Sequence, residues 1–397
     1  MSKYLPQLLI SLLLLCTASQ RGSAATFQTD ATAAAALEQY RQLAARGGWP
    51  TIPSGAPLRL GSRSERVLAL RYRLRTTGDL PPLGQLAQVG SETADFDVEM
   101  RFDHEVAQAV RQVQRRHGLH VDGIVGRHTL AALNVPVQDR LQQLRHDLEN
   151  GQLPEDLGDR YILVNIPDFT LRLIDQNREV WATRVVVGER QRRTPMLRST
   201  IDHLVFNPYW YVPSRIAKQE LLPRVVANPH YLSEQQMEIV APSGQVLDPS
   251  GIDWTAVNAQ DFPYRIRQRP GAHNALGRVK FIFPNTHGVY LHDTPSRALF
   301  ARAERAFSHG CVRVEKPLEL AAYLLREQER ERRTPEQMEQ MIRRGKRTYV
   351  KLPQPIEVHF VYRTAWVDDD GTVQFRPDIY RHANTPSEKL PILLASQ

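Results

Sequence analysis

The chain has 397 residues, of which 42% are hydrophobic and 24% charged, with a formal net charge of +8. That is the make-up of a folded globular protein of two or three domains rather than a disordered one. The basic balance suits anionic polymers, but no basic-aromatic motif for nucleic acid is present, and the two cysteines, Cys16 and Cys311, exclude a disulfide-stapled scaffold.

Residues 1–25 read as an export signal. Lys3 precedes the apolar run Leu8–Leu15, and Gly22, Ser23, Ala24 and Ala25 suit signal-peptidase cleavage, so a mature start near Ala25 or Thr26 is expected. The run falls short of the roughly 20 apolar residues that a bilayer requires, so no retained transmembrane segment is expected. Leu15 is too bulky for lipidation at Cys16. Loss of the signal takes Cys16 with it and leaves Cys311 with no intramolecular partner in an oxidising compartment, which favours a nucleophile over a structural thiol.

Residues 26–57 read as an alanine-rich helix around Leu37, Tyr40 and Leu43, followed by a linker marked by Gly47-Gly48, Pro50, Pro53 and Pro57. Residues 58–136 read as a compact helical module. Val67, Leu70 and Leu74 form one apolar helical face, Asp103 caps a helix carrying Val106, Val110 and Val113, and Asp122-Gly123 turns the chain. Ala109-Val110, Gln114, Gly118-Leu119, Asp122-Gly123-Ile124-Val125-Gly126 and Thr129 to Asn134 resemble the small peptidoglycan-binding helical domain of wall enzymes. A connecting helix is expected in 137–160.

From Tyr161 the period becomes two, and strands are expected at Tyr161–Ile166, Thr170–Ile174, Val180–Val187 and Lys280–Phe283. Within this 161–352 domain, residues 214–270 form a long irregular insertion with a helical piece around Ile216–Val225, a candidate lid. Beyond Cys311, a helix is expected from Pro317, and Thr334-Pro335-Glu336-Gln337 has the capping-box pattern. Residues 353–397 read as a C-terminal β-hairpin turning at Asp370-Gly371, then a tail.

The chemistry centres on Ser308-His309-Gly310-Cys311-Val312-Arg313-Val314. A thiol with a reference pKa near 8.5 needs a base or cation beside it to act at neutral pH. Tyr290-Leu291-His292-Asp293 ends a predicted strand 19 residues upstream of Cys311 and supplies an imidazole. In an extended segment His309, Cys311 and Arg313 would share one face; if a helix began at the cysteine, its N-terminus would favour the thiolate.

His292-Asp293-Thr294-Pro295, with Phe300, Phe307 and the cysteine motif, resembles the signature of the L,D-transpeptidases, the YkuD-type catalytic domain of bacterial wall synthesis. Phe206 to Ala217, the insertion and the hairpin tail are similar to the large periplasmic, YcbB-like subtype. The resemblance implies an α+β chain: a mainly-β catalytic domain with a lid, preceded by a small all-α peptidoglycan-binding domain, acting in the periplasm without a cofactor. It implies that Cys311 attacks a tetrapeptide stem, releases D-alanine, and passes the acyl group to the amine of a second stem as a 3→3 cross-link. It further implies His292 as proton donor and acceptor, oriented by the backbone carbonyl of Asp293; His309 near the nucleophile, in a catalytic or structural role; the amides around Gly310 and Cys311 as an oxyanion hole; and Arg313, Tyr290, Trp210 and Ser308 along the substrate cleft. Carbapenems are implied as covalent inhibitors.

Two alternatives stay open at the level of sequence. Water in place of the amine acceptor would make the enzyme an L,D-carboxypeptidase. His292, His309 and Cys311 could instead ligate zinc in a wall hydrolase, although His104-Glu105 is not completed to H-E-x-x-H, because Gln108 stands where the second histidine belongs.

Overall fold

The computed structural model describes residues 30–82, 98–150, 157–260, 262–326 and 334–382. The expected export signal lies outside them. Among the described residues no helix is long and apolar enough to cross a membrane.

The first part is helical: α1 (Asp30–Ala45), α2 (Glu65–Thr76), α3 (His104–Arg116), α4 (Arg127–Leu133) and α5 (Val137–Asn150). Asp103 accepts from the Val106 amide at 3.0 Å, so α3 starts where the sequence places its cap, an interaction worth about 1 kcal/mol. The faces Val67-Leu70-Leu74 and Val106-Val110-Val113 bury one another completely. Gln114 holds the glycine loop from inside: its carbonyl oxygen accepts from Gly123 N at 2.8 Å, and its amide donates to Asp122 Oδ1 at 2.8 Å and Thr129 Oγ1 at 3.1 Å.

The proline-rich stretch expected as a linker is laid down on this module. Ile52 is fully buried, and its N–H and C=O both pair with the Asn134 side chain at 2.9 Å. Helices α1 and α5 do not join the module's core but make another with the C-terminal hairpin, through Tyr40, Leu144, Val367 and Phe375.

The second part is a sheet. Its strands are β1 (Tyr161–Asn165), β2 (Thr170–Asp175), β3 (Arg178–Gly188), β4 (Leu197–Phe206), β9 (Val279–Ile282), β10 (Leu291–His292), β11 (Ala306–Ser308), β12 (Val312–Val314) and β13 (Thr348–Val361). They run in the order β11-β3-β12-β10-β9-β4-β13-β1-β2, and a further pairing of β2 with β3 closes eight of them into a barrel that leaves β11 outside. Inward-facing Ile162, Val164, Leu171, Val187, Phe206, Phe281, Leu291 and Val312 fill it, and the helix Pro317–Leu324 covers it with Leu320 and Leu324.

Between β4 and β9 the insertion folds on itself. Strands β5 (Trp210–Tyr211), β6 (Met237–Val240), β7 (Val246–Leu247) and β8 (Arg265–Gln268) form a small sheet ordered β5-β8-β6-β7. A helical run from Ser214 to Ala227, with a π-turn at Ala217–Leu221, packs Leu221 and Val225 against Ile239, Trp254 and Ile266.

The tail differs from the expected hairpin. Glu357–Val361 is the end of β13, which pairs in parallel with β1 and antiparallel with β4; a register shift between Lys351 and Ile356 accommodates Pro353 and Pro355. The hairpin is shorter, β14 (Ala365–Val367) with β15 (Val373–Phe375).

Candidate active site

Strands β9, β10 and β12 lie side by side, and their registers pair His292 with Lys280 on one side and with Arg313 on the other. These three residues therefore make one row across the sheet, cation–imidazole–cation. His292 is buried, and its Nδ1 lies 2.5 Å from the carbonyl oxygen of Asp293. A carbonyl can only accept, so Nδ1 carries the proton and Nε2 keeps its lone pair. Burial first, then the charges of Arg313 and Lys280, push the imidazole down to about 3, against the opposing hydrogen bond to Asp293. The ring is neutral at any physiological pH.

Cys311 follows a turn between β11 and β12. Gly310 has φ +116°, a conformation that L side chains rarely adopt, and it reverses the chain there. Ser308 Oγ donates to the Cys311 carbonyl at 2.5 Å and accepts from the Gly310 amide at 3.1 Å. Thr194 Oγ1 donates to the Gly310 carbonyl at 2.8 Å and accepts from Gly188 N at 2.8 Å, while Tyr380 donates to the Gly188 carbonyl at 2.6 Å and accepts from Thr194 N at 3.1 Å. A Cβ on Gly188 would stand 2.1 Å from the Arg192 carbonyl oxygen, so only glycine lets that loop close.

The thiol is half-buried. Burial pushes it up, while Tyr290 and the charges of Lys280 and Arg313 pull it back. Lys280 Nζ sits 3.6 Å from the centre of the Tyr290 ring, and the His292 ring meets that tyrosine edge-on at 5.6 Å. A cleft of about 400 Å³ opens over Cys311, walled by Tyr290 and Arg313, by Trp210 and Ile216 of the insertion, and by Arg192 and Arg193.

Several sequence expectations shift. His309, Cys311 and Arg313 line one cleft, but not as one face of an extended segment: the chain turns at Gly310, and His309 Nε2 lies 2.7 Å from Glu220 Oε1, which also accepts from Arg192 at 2.6 Å. No helix begins at Cys311; strand β12 begins at the next residue, Val312. The Gly310 amide is taken up by Ser308, whereas that of Cys311 has no protein acceptor among the described residues, so the available oxyanion donor at this turn is Cys311 N–H. The Asp293 carboxylate turns away from His292, accepting from Arg278 N at 2.9 Å and pairing with the Arg278 and Arg297 guanidinium groups at 3.3 and 3.4 Å. Arg313 pairs with neither nearby carboxylate, since Glu315 binds Arg184 and Asp293 binds Arg278 and Arg297. The zinc alternative fails on geometry: among the described residues no three His, Cys, Asp or Glu side chains gather as a metal-ligand set.

Lys280, Thr194, Glu220 and Tyr380 are site residues that the sequence did not single out. Lys280 reads there as an ordinary strand residue, and the other three carry no local pattern.

A closed barrel that presents a turn-held cysteine and a neutral imidazole in one cleft frames an acyltransferase-type enzyme, and the family models that the chain matches agree. Residues 159–350 match the family model described as "L,D-transpeptidase catalytic domain" (YkuD), and residues 63–133 match "Putative peptidoglycan binding domain". By these matches the chain resembles an L,D-transpeptidase catalytic domain with a peptidoglycan-binding domain before it. A Haemophilus influenzae protein named "Putative L,D-transpeptidase" is 40% identical over 219 residues, 55% of this chain and 44% of that protein. This chain thus matches less than half the length of that relative. Among solved structures, an L,D-transpeptidase from Stackebrandtia nassauensis is 15% identical, with 81% of this chain and 99% of that one covered at a TM-score of 0.27. Residues 123–326 of one from Xylanimonas cellulosilytica are 16% identical, with 78% and 98% covered at 0.22. L,D-transpeptidase 3 from Mycobacterium tuberculosis, in complex with a faropenem-derived adduct, is 12% identical, with 50% and 60% covered at 0.24.

Proposed function

We propose that the protein is an exported peptidoglycan L,D-transpeptidase that joins stem peptides by 3→3 cross-links through a thioester on Cys311. The observation that carries this reading is the row beneath the cleft: a neutral imidazole, flanked by two cations, that lines the same cleft as the thiol.

In this mechanism Nε2 of His292 takes the Cys311 proton as sulfur attacks the carbonyl carbon that joins the third stem residue to terminal D-alanine. The oxyanion is met by the Cys311 amide, and losing such a donor costs about 2.7–4 kcal/mol. As the C–N bond breaks, the imidazolium returns its proton to the departing D-alanine amine, and the thioester remains. The uncharged side-chain amine of a second stem then attacks the thioester carbon, gives its proton to His292, and the expelled thiolate is reprotonated. Arg313, without a carboxylate partner among the described residues, offers a charge for a substrate carboxylate. Arg192 and Arg193 extend the positive field at the rim, and Trp210 and Tyr290 supply apolar walls. Carbapenems, whose strained carbonyl presents a similar target to the thiolate, acylate the same sulfur.

Incubation with a disaccharide-tetrapeptide and mass analysis of the products tests the proposal. Dimers lacking one D-alanine are expected. Tripeptide alone would replace transfer by hydrolysis, the L,D-carboxypeptidase activity, and no D-alanine release would overturn both.

A further inference from the structure

We propose that Lys280 is a positioning residue for the nucleophile: with Arg313 across His292, it provides fixed positive charge that stabilises the Cys311 thiolate as its proton leaves. The inference rests on Cys311 being the nucleophile, but not on which peptide it attacks.

Three observations carry it. Lys280 and Arg313 flank His292 in register on adjacent strands, so their positions are set by the barrel rather than by loops. Among the described residues neither makes a salt bridge, whereas nearby Arg278, Arg297 and Arg184 are all paired with carboxylates. Lys280 instead lies against the Tyr290 ring at 3.6 Å, and that tyrosine stands over the thiol. A partly buried cation with no counter-ion is costly unless a negative charge forms nearby. The anions this site generates are the thiolate and, after attack, the oxyanion.

The charged and titratable groups that face Cys311 are few in sign. His292, Tyr290 and Lys280 come from the barrel, Arg313 from its own strand, and His309 from the turn. Arg192, Arg193 and Arg215 stand at the rim, where the carboxylate of Glu220 is already held by His309 and Arg192. With His292 neutral, Lys280 and Arg313 are the cations nearest in register to the base. The methylene stem of Lys280 along the Tyr290 ring also keeps that tyrosine in place, so the charge acts both directly and through the ring.

The test is the pH profile of Cys311 alkylation by iodoacetamide, followed by peptide mass in the full chain, for wild type, Lys280→Met and Lys280→Arg. The half-maximal pH is expected to rise by roughly one unit in Lys280→Met, with alkylation at neutral pH slowed about tenfold, and to return toward wild type in Lys280→Arg. Removing an unpaired, partly buried cation leaves the thermal unfolding midpoint unchanged or higher. A superimposable profile in Lys280→Met, or in Lys280→Gln, would overturn the proposal. So would a lowered midpoint in both, because the charge would then be structural. The readout needs no wall substrate, so a shifted profile with no transfer product would sink the proposed function and leave this inference standing.

Discussion

His292 is oriented by the main chain of Asp293 and not by its carboxylate: Nδ1 lies 2.5 Å from the Asp293 carbonyl oxygen, while the carboxylate is spent on Arg278 and Arg297. Asp293→Asn, which keeps the backbone and an acceptor for Arg278 N, is expected to retain kcat within about tenfold, whereas His292→Ala loses on the order of 10²–10⁴-fold. Steady-state kinetics decides, and an equal loss in the two variants would assign the orienting role to the side chain.

The turn bearing Cys311 is held by residues remote in sequence. Thr194→Val removes both the donor to the Gly310 carbonyl and the acceptor for Gly188 N, leaving two buried backbone groups unpaired. A stability loss of about 2–6 kcal/mol is expected in denaturant titrations, at roughly 1–3 kcal/mol per orphaned group. Tyr380→Phe likewise removes one hydroxyl serving two backbone groups, the Gly188 carbonyl and Thr194 N, and a comparable loss is expected. A Thr194→Val loss below half a kcal/mol would show that the turn does not depend on this relay.

Glu220 ties the insertion to the catalytic turn through His309 and Arg192. Glu220→Ala frees that contact while leaving the insertion's own core of Leu221, Val225 and Ile239 in place. Amide exchange in Ser214–Ala227 is expected to accelerate about three- to tenfold without change elsewhere in the sheet. Unchanged exchange would mean that the apolar core alone holds the segment.

Buried neutral histidines make stability depend on pH. His117 is held well below the usual imidazole range by burial and then by Arg140 and Arg116, and His292 lies at about 3. Both folded values lie below the unfolded one near 6.5, so each contribution is complete above that pH and is lost as the pH falls toward the folded value. Each imidazole then costs about 1.4 kcal/mol per pH unit. In His117→Phe the fall in stability between pH 6.5 and 5 is expected to be smaller by about 2 kcal/mol; an identical slope would contradict the buried neutral assignment.

Much of this was readable in advance, and what was not has a physical reason. Cys311 and Arg313 share one short motif and His292 stands in another, and α3 announces itself through Asp103 and its three valines. Strand β4 was missed because Arg198, Ser199, Thr200 and Asp202 blur its alternation. Strand β13 was split because Pro353 and Pro355 look like strand breakers until the bulge absorbs them. Lys280 enters the site solely through register, Thr194 reaches Gly310 across 116 positions of chain, and Tyr380 reaches Gly188 across 192. Pairing across strands is a tertiary fact that local pattern does not carry.

The most direct measurement is the intact mass of the protein during turnover of a tetrapeptide donor, with the modified peptide located by fragmentation. The account predicts an increment equal to the donor acyl group without D-alanine, confined to Cys311 and absent in Cys311→Ala, which also loses turnover. Continued turnover in Cys311→Ala, or an adduct on any other residue, would contradict it.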